Sequence, residues 1–134
     1  MYMCRVIRMR ANAVPPSPTN VPTIFNLHAN DNTTIPPRGQ IVLCTGIIVK
    51  PTPGYLGLVG NGHLVTPPGL KVHSYILNLV RKIILYKSVL GKQTLFLQED
   101  CLEEIRLEVD NRTDEEVHIW SMDCIAQLIL LPYE

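Results

Sequence analysis

Short apolar runs, each closed by proline or glycine, recur along the whole chain. Cys4 to Arg10 mixes Cys4, Val6, Ile7 and Met9 with three arginines and then meets Pro15, Pro16, Pro18 and Pro22. Proline removes a backbone donor and blocks helix, so this segment predicts a short strand followed by an extended loop. Ile35-Pro36-Pro37-Arg38-Gly39 is a turn signal. The run from Gln40 to Val49 is rich in β-branched residues and stops before Pro51 and Pro53, which predicts a buried strand pair or one bent strand. Tyr55 to Gly60 predicts another strand, whose glycines permit a bulge or a close backbone approach. Asn61-Gly62 and Pro67-Pro68-Gly69 mark further turns.

Between Val72 and Val89 the pattern reads two ways. Ile76, Leu79, Val80, Ile83 and Ile84 share one face on a helical template, whereas β-branched content and the neighbouring turns argue for strands. From Thr94 to Leu97 and from Ile105 to Val109 apolar and polar residues alternate, as in half-buried strands. Asp110 to Glu116 is polar and charged, which predicts a hairpin loop. Val117 to Trp120 and Ile125 to Leu131 predict two last strands, with Pro132 stopping the second. Short strands at regular spacing, joined by Gly and Pro turns, point to an all-β sandwich or barrel.

A chain of 134 residues fits a single domain, 1–134. Lys plus Arg equals Asp plus Glu at twelve each, so no net charge draws the molecule to nucleic acid or to an anionic membrane. Met1 to Arg10 carries Arg5, Arg8 and Arg10, unlike a signal peptide, and no apolar run reaches the roughly 18 residues that span a bilayer. An intracellular protein, in cytoplasm or nucleus and not secreted, is expected. Cys4, Cys44, Cys101 and Cys124 show no C-x-x-C pair and no His at zinc-ligand spacing, so reduced thiols and no metal are expected. Asn32-Thr33-Thr34 and Asn111-Arg112-Thr113 fit the glycosylation pattern and, without a secretory signal, read as chance matches.

Four pieces of the chain, taken in order, resemble the trimeric dUTPase family. They are Thr34-Ile35-Pro36-Pro37, Thr45-Gly46-Ile47, Pro53-Gly54-Tyr55 and Ile125-Ala126-Gln127-Leu128-Ile129. Asp123-Cys124-Ile125-Ala126-Gln127-Leu128 is similar to that family's fourth motif, Gly-Asp-Arg-Ile-Ala-Gln-Leu. The resemblance implies a jelly-roll barrel and a homotrimer, with a plain trimer or a monomer as alternatives. It runs from Cys4 to Asn78 and again from Glu104 to Leu131. The segment near 79–103 exceeds the family pattern and is expected to be an added β-hairpin.

The family's reaction uses a carboxylate base to activate water, with Mg²⁺ and basic groups neutralising the triphosphate. Laid on that pattern, Asn26 stands where the first motif has Asp. Asn61-Gly62-His63-Leu64 replaces Pro-Arg-Ser-Gly of the second motif, so Gly62 and His63 take the place of the phosphate-binding Arg and Ser. Gly69 to Asn78 covers the third motif, with Lys71 at the catalytic Asp, Ser74 and Tyr75 at two glycines of the nucleoside pocket, and Asn78 at the motif's closing Asp. Loss of a positioned base alone costs roughly 10²–10⁴-fold. The Gly-rich fifth motif has no counterpart before Glu134. Asp123 and Gln127 survive from the fourth motif, as weak candidates for nucleotide phosphate or as a turn Asp and a strand Gln.

These substitutions imply a catalytically inactive dUTPase-like protein, without cofactor, that acts through other proteins. The adenovirus early region 4 open reading frame 1 product and herpesvirus dUTPase-related proteins are similar in concept, which implies a viral accessory protein that modulates host signalling. Leu131-Pro132-Tyr133-Glu134 lacks the apolar last residue of a PDZ-binding tail, so contact with host proteins is expected elsewhere, on 79–103. The alternative is a residual dUTPase or nucleotide-binding regulator, with Asp123, Gln127, His63 and Lys71 holding phosphate and Mg²⁺ needed only in that case. Other chemistry fares worse. Ser74 and His73 are adjacent and point to opposite faces of a strand. Glu99-Asp100 and Glu103-Glu104 read as a solvated acidic loop, and Arg81, Lys82, Lys87 and Lys92 make too small a basic cluster for nucleic acid.

Overall fold

The computed structural model describes residues 4–62, 65–77, 95–96 and 104–132. In chain order these form β1 (Cys4–Arg8), β2 (Ser17–Pro18), β3 (Ile24–His28), β4 (Thr33–Ile35), β5 (Gln40–Cys44), β6 (Ile47–Pro51), β7 (Tyr55–Asn61), β8 (Leu70–Val72), β9 (Tyr75–Leu77), β10 (Leu95–Phe96), β11 (Arg106–Asn111), β12 (Val117–Ile119) and β13 (Cys124–Pro132). The fold is all-β, as the pattern predicts. Among the described residues no helix is long and apolar enough to cross a membrane.

One six-stranded sheet, ordered β10-β9-β7-β13-β3-β2, dominates the molecule. Its centre is β13, whose near-continuous apolar run suits a strand flanked on both edges, by β3 and by β7. A three-stranded sheet, β5-β11-β8, and two-stranded sheets β1-β6 and β12-β4 complete the shell. Side chains alternate across each strand, so Leu128, Leu130, Leu27 and Val59 enter the core while Gln127, Ile129, Asn26 and Leu58 face outward. The core is filled out by Ile35, Ile47, Ile105, Leu107, Ile119 and Ile125, all essentially inaccessible to water. Each such side chain contributes about 1.5–3 kcal/mol by leaving water.

The apolar stretch 40–51 makes two strands that do not pair with each other. β5 joins β11 and β6 joins β1, and the break is Gly46, whose φ of 75° is open to glycine at no steric cost. Strand alternation at β11 is as predicted: Leu107, Val109 and Asn111 are buried, while Arg106, Glu108 and Asp110 are not. The polar loop after it is no hairpin, because β11 and β12 lie in different sheets. Asn111 redirects the chain there. Its Nδ2 donates to the carbonyls of Ile35, Pro36 and Glu115 at 3.1, 3.1 and 2.8 Å, and its Oδ1 accepts from Thr113 N at 3.0 Å and Thr113 Oγ1 at 2.7 Å. That amide is buried and fully engaged, in keeping with a chance match to the glycosylation pattern.

Glu104 corrects the solvated-loop expectation for Glu103-Glu104. Its carboxylate is 5% exposed, accepts from Gly46 N at 2.5 Å, and takes Arg10 Nη1 and Nη2 at 2.9 and 3.3 Å. Burial penalises the charge, but the Arg10 hydrogen bond, the Gly46 N–H and the charges of Arg10 and Arg106 outweigh it and hold the carboxyl below its ordinary range. Cys4, Cys44 and Cys124 are free and half-buried, and burial pushes the thiols of Cys4 and Cys124 up. Cys101 lies outside the described residues. So does the expected hairpin near 79–103, apart from β10. β10 pairs with β9 in parallel, so those two strands are not the two arms of one hairpin.

Candidate functional site

A polar row crosses the outward face of the large sheet. Cα register places Ser17 beside Asn26, Asn26 beside Gln127, and Gln127 beside Gly60. The row continues to Ser74, whose Oγ would lie 2.7 Å from a Cβ on Gly60. Asn26, Gln127 and Gly60 share one face because each alternates with a core residue of its own strand, Leu27, Leu128 and Val59. Gln127 Nε2 donates to Asn26 Oδ1 at 3.1 Å, locking the two amides side by side. Below the row lie Ile24, Leu58 and Ile129 on the same face, and then Leu131, 41% exposed.

A tight loop closes one side of the row. Gly62 N donates to Thr66 Oγ1 at 2.7 Å, and that hydroxyl donates to Ile125 O at 2.6 Å. The backbone N–H groups of Val65 and Thr66 both return to Gly62 O, at 3.2 and 3.0 Å. A Cβ at position 62 would stand 2.8 Å from Gln127 Cγ and closer still to the Val65 side chain, so only glycine fits. Asn61, one residue earlier, is exposed and accepts Val72 N on Oδ1 at 2.6 Å.

At the other end of β3, His28 faces Ser17. His28 Nδ1 lies 2.9 Å from Met122 O, and a carbonyl can only accept, so Nδ1 carries the hydrogen. Nε2 then accepts from Ser17 Oγ at 2.5 Å. The pair ties edge strand β2 to β3 and to the turn before β13. No carboxylate is hydrogen-bonded to His28 among the described residues.

Of the residues singled out from sequence, the structure brings Asn26, Gly62 and Gln127 together and does not bring Lys71 or Asp123 to them. Lys71 is central in β8, on the three-stranded sheet, with its Cα opposite Asp110. Its neighbour Val72 is in the core, so Lys71 projects from the other face. Asp123 caps a turn: its Oδ2 accepts from Trp120 N at 2.9 Å. Tyr75 is in β9 beside Val59. His63 and Asn78 lie outside the described residues. Ser17, Thr66 and His28 carried no sequence signal, since their neighbours come from strands far away in the chain.

The row consists of amides, hydroxyls and glycine. Such groups donate and accept hydrogen bonds and suit a neutral polar ligand, but they cannot take up a proton near neutral pH. Mg²⁺ prefers carboxylate and phosphate oxygens, and a row of neutral groups does not fit it. Among the described residues no three His, Cys, Asp or Glu side chains converge as metal ligands.

No family model matches the sequence, and no curated protein does. Solved structures do match. A mutant dUTPase from phage phi11 of S. aureus, whose structure shows coordination of a structural Mg(II) ion, superposes with a TM-score of 0.73 at 14% identity, over 99% of this chain and 92% of that one. A mutant dUTPase of Staphylococcus bacteriophage 80alpha with dUpNHpp gives 0.73 at 14% identity, over 100% and 92%. Another phi11 dUTPase structure, described for its species-specific insert, gives 0.72 at 15%, over 99% and 92%. At these identities and over nearly the whole length, this chain has the jelly-roll-like dUTPase fold.

Proposed function

We propose that this chain is a dUTPase-related protein of viral origin that works inside the cell by binding other proteins and does not hydrolyse dUTP. The observation that carries the reading is the neutral row Ser17-Asn26-Gln127-Gly60-Ser74, which holds hydrogen-bonding groups but no proton acceptor, guanidinium or metal carboxylate. Phage dUTPases of the same fold are described as controlling transfer of virulence genes by a G protein-like mechanism, which supports a regulatory role for such a scaffold. The apolar strip Ile24, Leu58, Ile129 and Leu131 beside the row supports a trimer, in which that face would be covered. Host proteins are the proposed partners, and 1–134 is read as one domain.

A second reading, residual nucleotide hydrolysis, is favoured by one observation. Asn26, Gly62 and Gln127, three positions of the family's motifs, stand together on one face of the large sheet. Calorimetric titration of dUTP and dUMP, run alongside a pyrophosphate-release assay with Mg²⁺, separates the two. The first reading expects no release above buffer. Mg²⁺-dependent turnover would establish the second.

A further inference from the structure

β1 is paired with β6 and has no strand on its other side among the described residues. Met9 N donates to Gly46 O at 2.7 Å, continuing the β6 ladder. Backbone direction alternates along a strand, so the N–H groups of Arg8 and Val6 point away from β6, toward the free edge. The strand is rigidly placed at its end, because the next arginine, Arg10, is clamped by buried Glu104.

The side chains along this edge combine two properties. Val6, Ile7 and Met9 are 38%, 37% and 50% exposed, and Arg5 and Arg8 are exposed between them. Arg5 stands directly opposite Lys50 on β6, a like-charge pair that destabilises the ladder until an anion neutralises it. Among the described residues no carboxylate lies within salt-bridge distance of Arg5, Arg8 or Lys50. An edge guarded only against aggregation carries charge in place of apolar side chains. This edge carries both, with free backbone groups in a fixed line, and its arginines repel a second copy of itself.

We propose that β1 receives an extended acidic and aliphatic segment of a partner protein as an added strand. Backbone hydrogen bonds supply the docking, Arg5, Arg8 and Lys50 select carboxylates, and Val6, Ile7 and Met9 cover the partner's aliphatic side chains. The inference rests on the reading of the chain as a protein-binding scaffold, and it names the class of partner.

The probe is a fluorescein-labelled peptide alternating Glu and Val and long enough to span β1, followed by polarisation against the full chain. Three comparisons accompany it: the Lys-Val peptide, the Glu-Val peptide N-methylated at alternate residues, and the variant Arg5→Glu/Arg8→Glu, whose thermal midpoint should be no lower than the parent's. The Glu-Val peptide binds, the Lys-Val peptide does not, and both N-methylation and the double variant weaken binding by at least about tenfold. Equal binding of the N-methylated peptide would reduce the edge to charge adhesion and overturn strand addition, as would equal binding by the variant or no binding by the parent. A shift in sedimentation of the double variant would assign the edge to another copy of this chain instead. Pyrophosphate release measured on the same sample reports on the scaffold reading separately, since turnover of dUTP would sink that reading whatever the peptides do.

Discussion

Replacing Glu104 by alanine tests whether one buried carboxylate joins the N-terminal strand to the core. The substitution strands the buried Gly46 N–H, which now donates to Glu104 Oε2 at 2.5 Å. A buried donor left without a partner costs about 1–3 kcal/mol. Arg10 has 42% of its side chain exposed and returns to water, so the loss of its ion pair adds little. At this chain length each kcal/mol moves the melting temperature by about 3–5 °C, so a fall of roughly 3–15 °C is expected. The pH dependence carries the sharper test. The folded carboxyl titrates below its ordinary value, because the Arg10 and Gly46 hydrogen bonds and nearby positive charge outweigh burial. Its contribution is therefore complete above the unfolded value of about 4.3 and is lost as pH falls through the folded one. Melting curves of the parent and the alanine variant should lie apart at neutral pH and converge in acid. A gap that stays constant down to about pH 3, below the ordinary carboxylate range, would show that Glu104 acts by packing and not by charge.

Other substitutions probe the loop and the row. Asn111→Ala removes an amide that serves three carbonyls and two donors, and it should cost at least about 3 kcal/mol in chemical denaturation, with Asn111→Asp no better at neutral pH because a carboxylate would face those carbonyls. Gly62→Ala drives a methyl into Gln127 and Val65, and a loss of about 1–3 kcal/mol is expected by thermal melting. Gln127→Met should leave stability within about 1 kcal/mol, since the residue is only half-buried, yet abolish any calorimetric heat from dUMP if the polar row is the nucleoside contact.

Much of the fold was legible because strand alternation is local. At β11 the period-2 pattern picked out Leu107 and Val109 as the buried face, and the structure buries them. The run 125–131 marked the central strand, and the apolar run 40–49 marked two strands, although these part at Gly46 and join different sheets. What was not legible depends on partners distant in sequence. Nothing local to Glu104 announces that Arg10 will meet it, so a charged residue beside Glu103 reads as solvated until the fold closes. The loop after β11 looks like a hairpin because polarity reports exposure and not which sheet the next strand joins.

The candidate site divides in the same way. Asn26, Gly62 and Gln127 were picked from motif resemblance, and the sheet register sets them together. Lys71 came from the same resemblance, yet β8 carries it on the face of a different sheet, opposite Asp110. A charge reversal acts on a reaction only where its field reaches the reacting atoms, and Lys71 stands in a different sheet from Asn26, Gln127 and Gly60. Any loss of catalysis in this chain is therefore better sought in the neutrality of the row itself. Restoring a carboxylate there with Asn26→Asp is the direct test: it should confer measurable Mg²⁺ binding by calorimetry, whereas Lys71→Asp should not. Mg²⁺ binding by Lys71→Asp and not by Asn26→Asp would mean that Lys71, and not Asn26, belongs to the site.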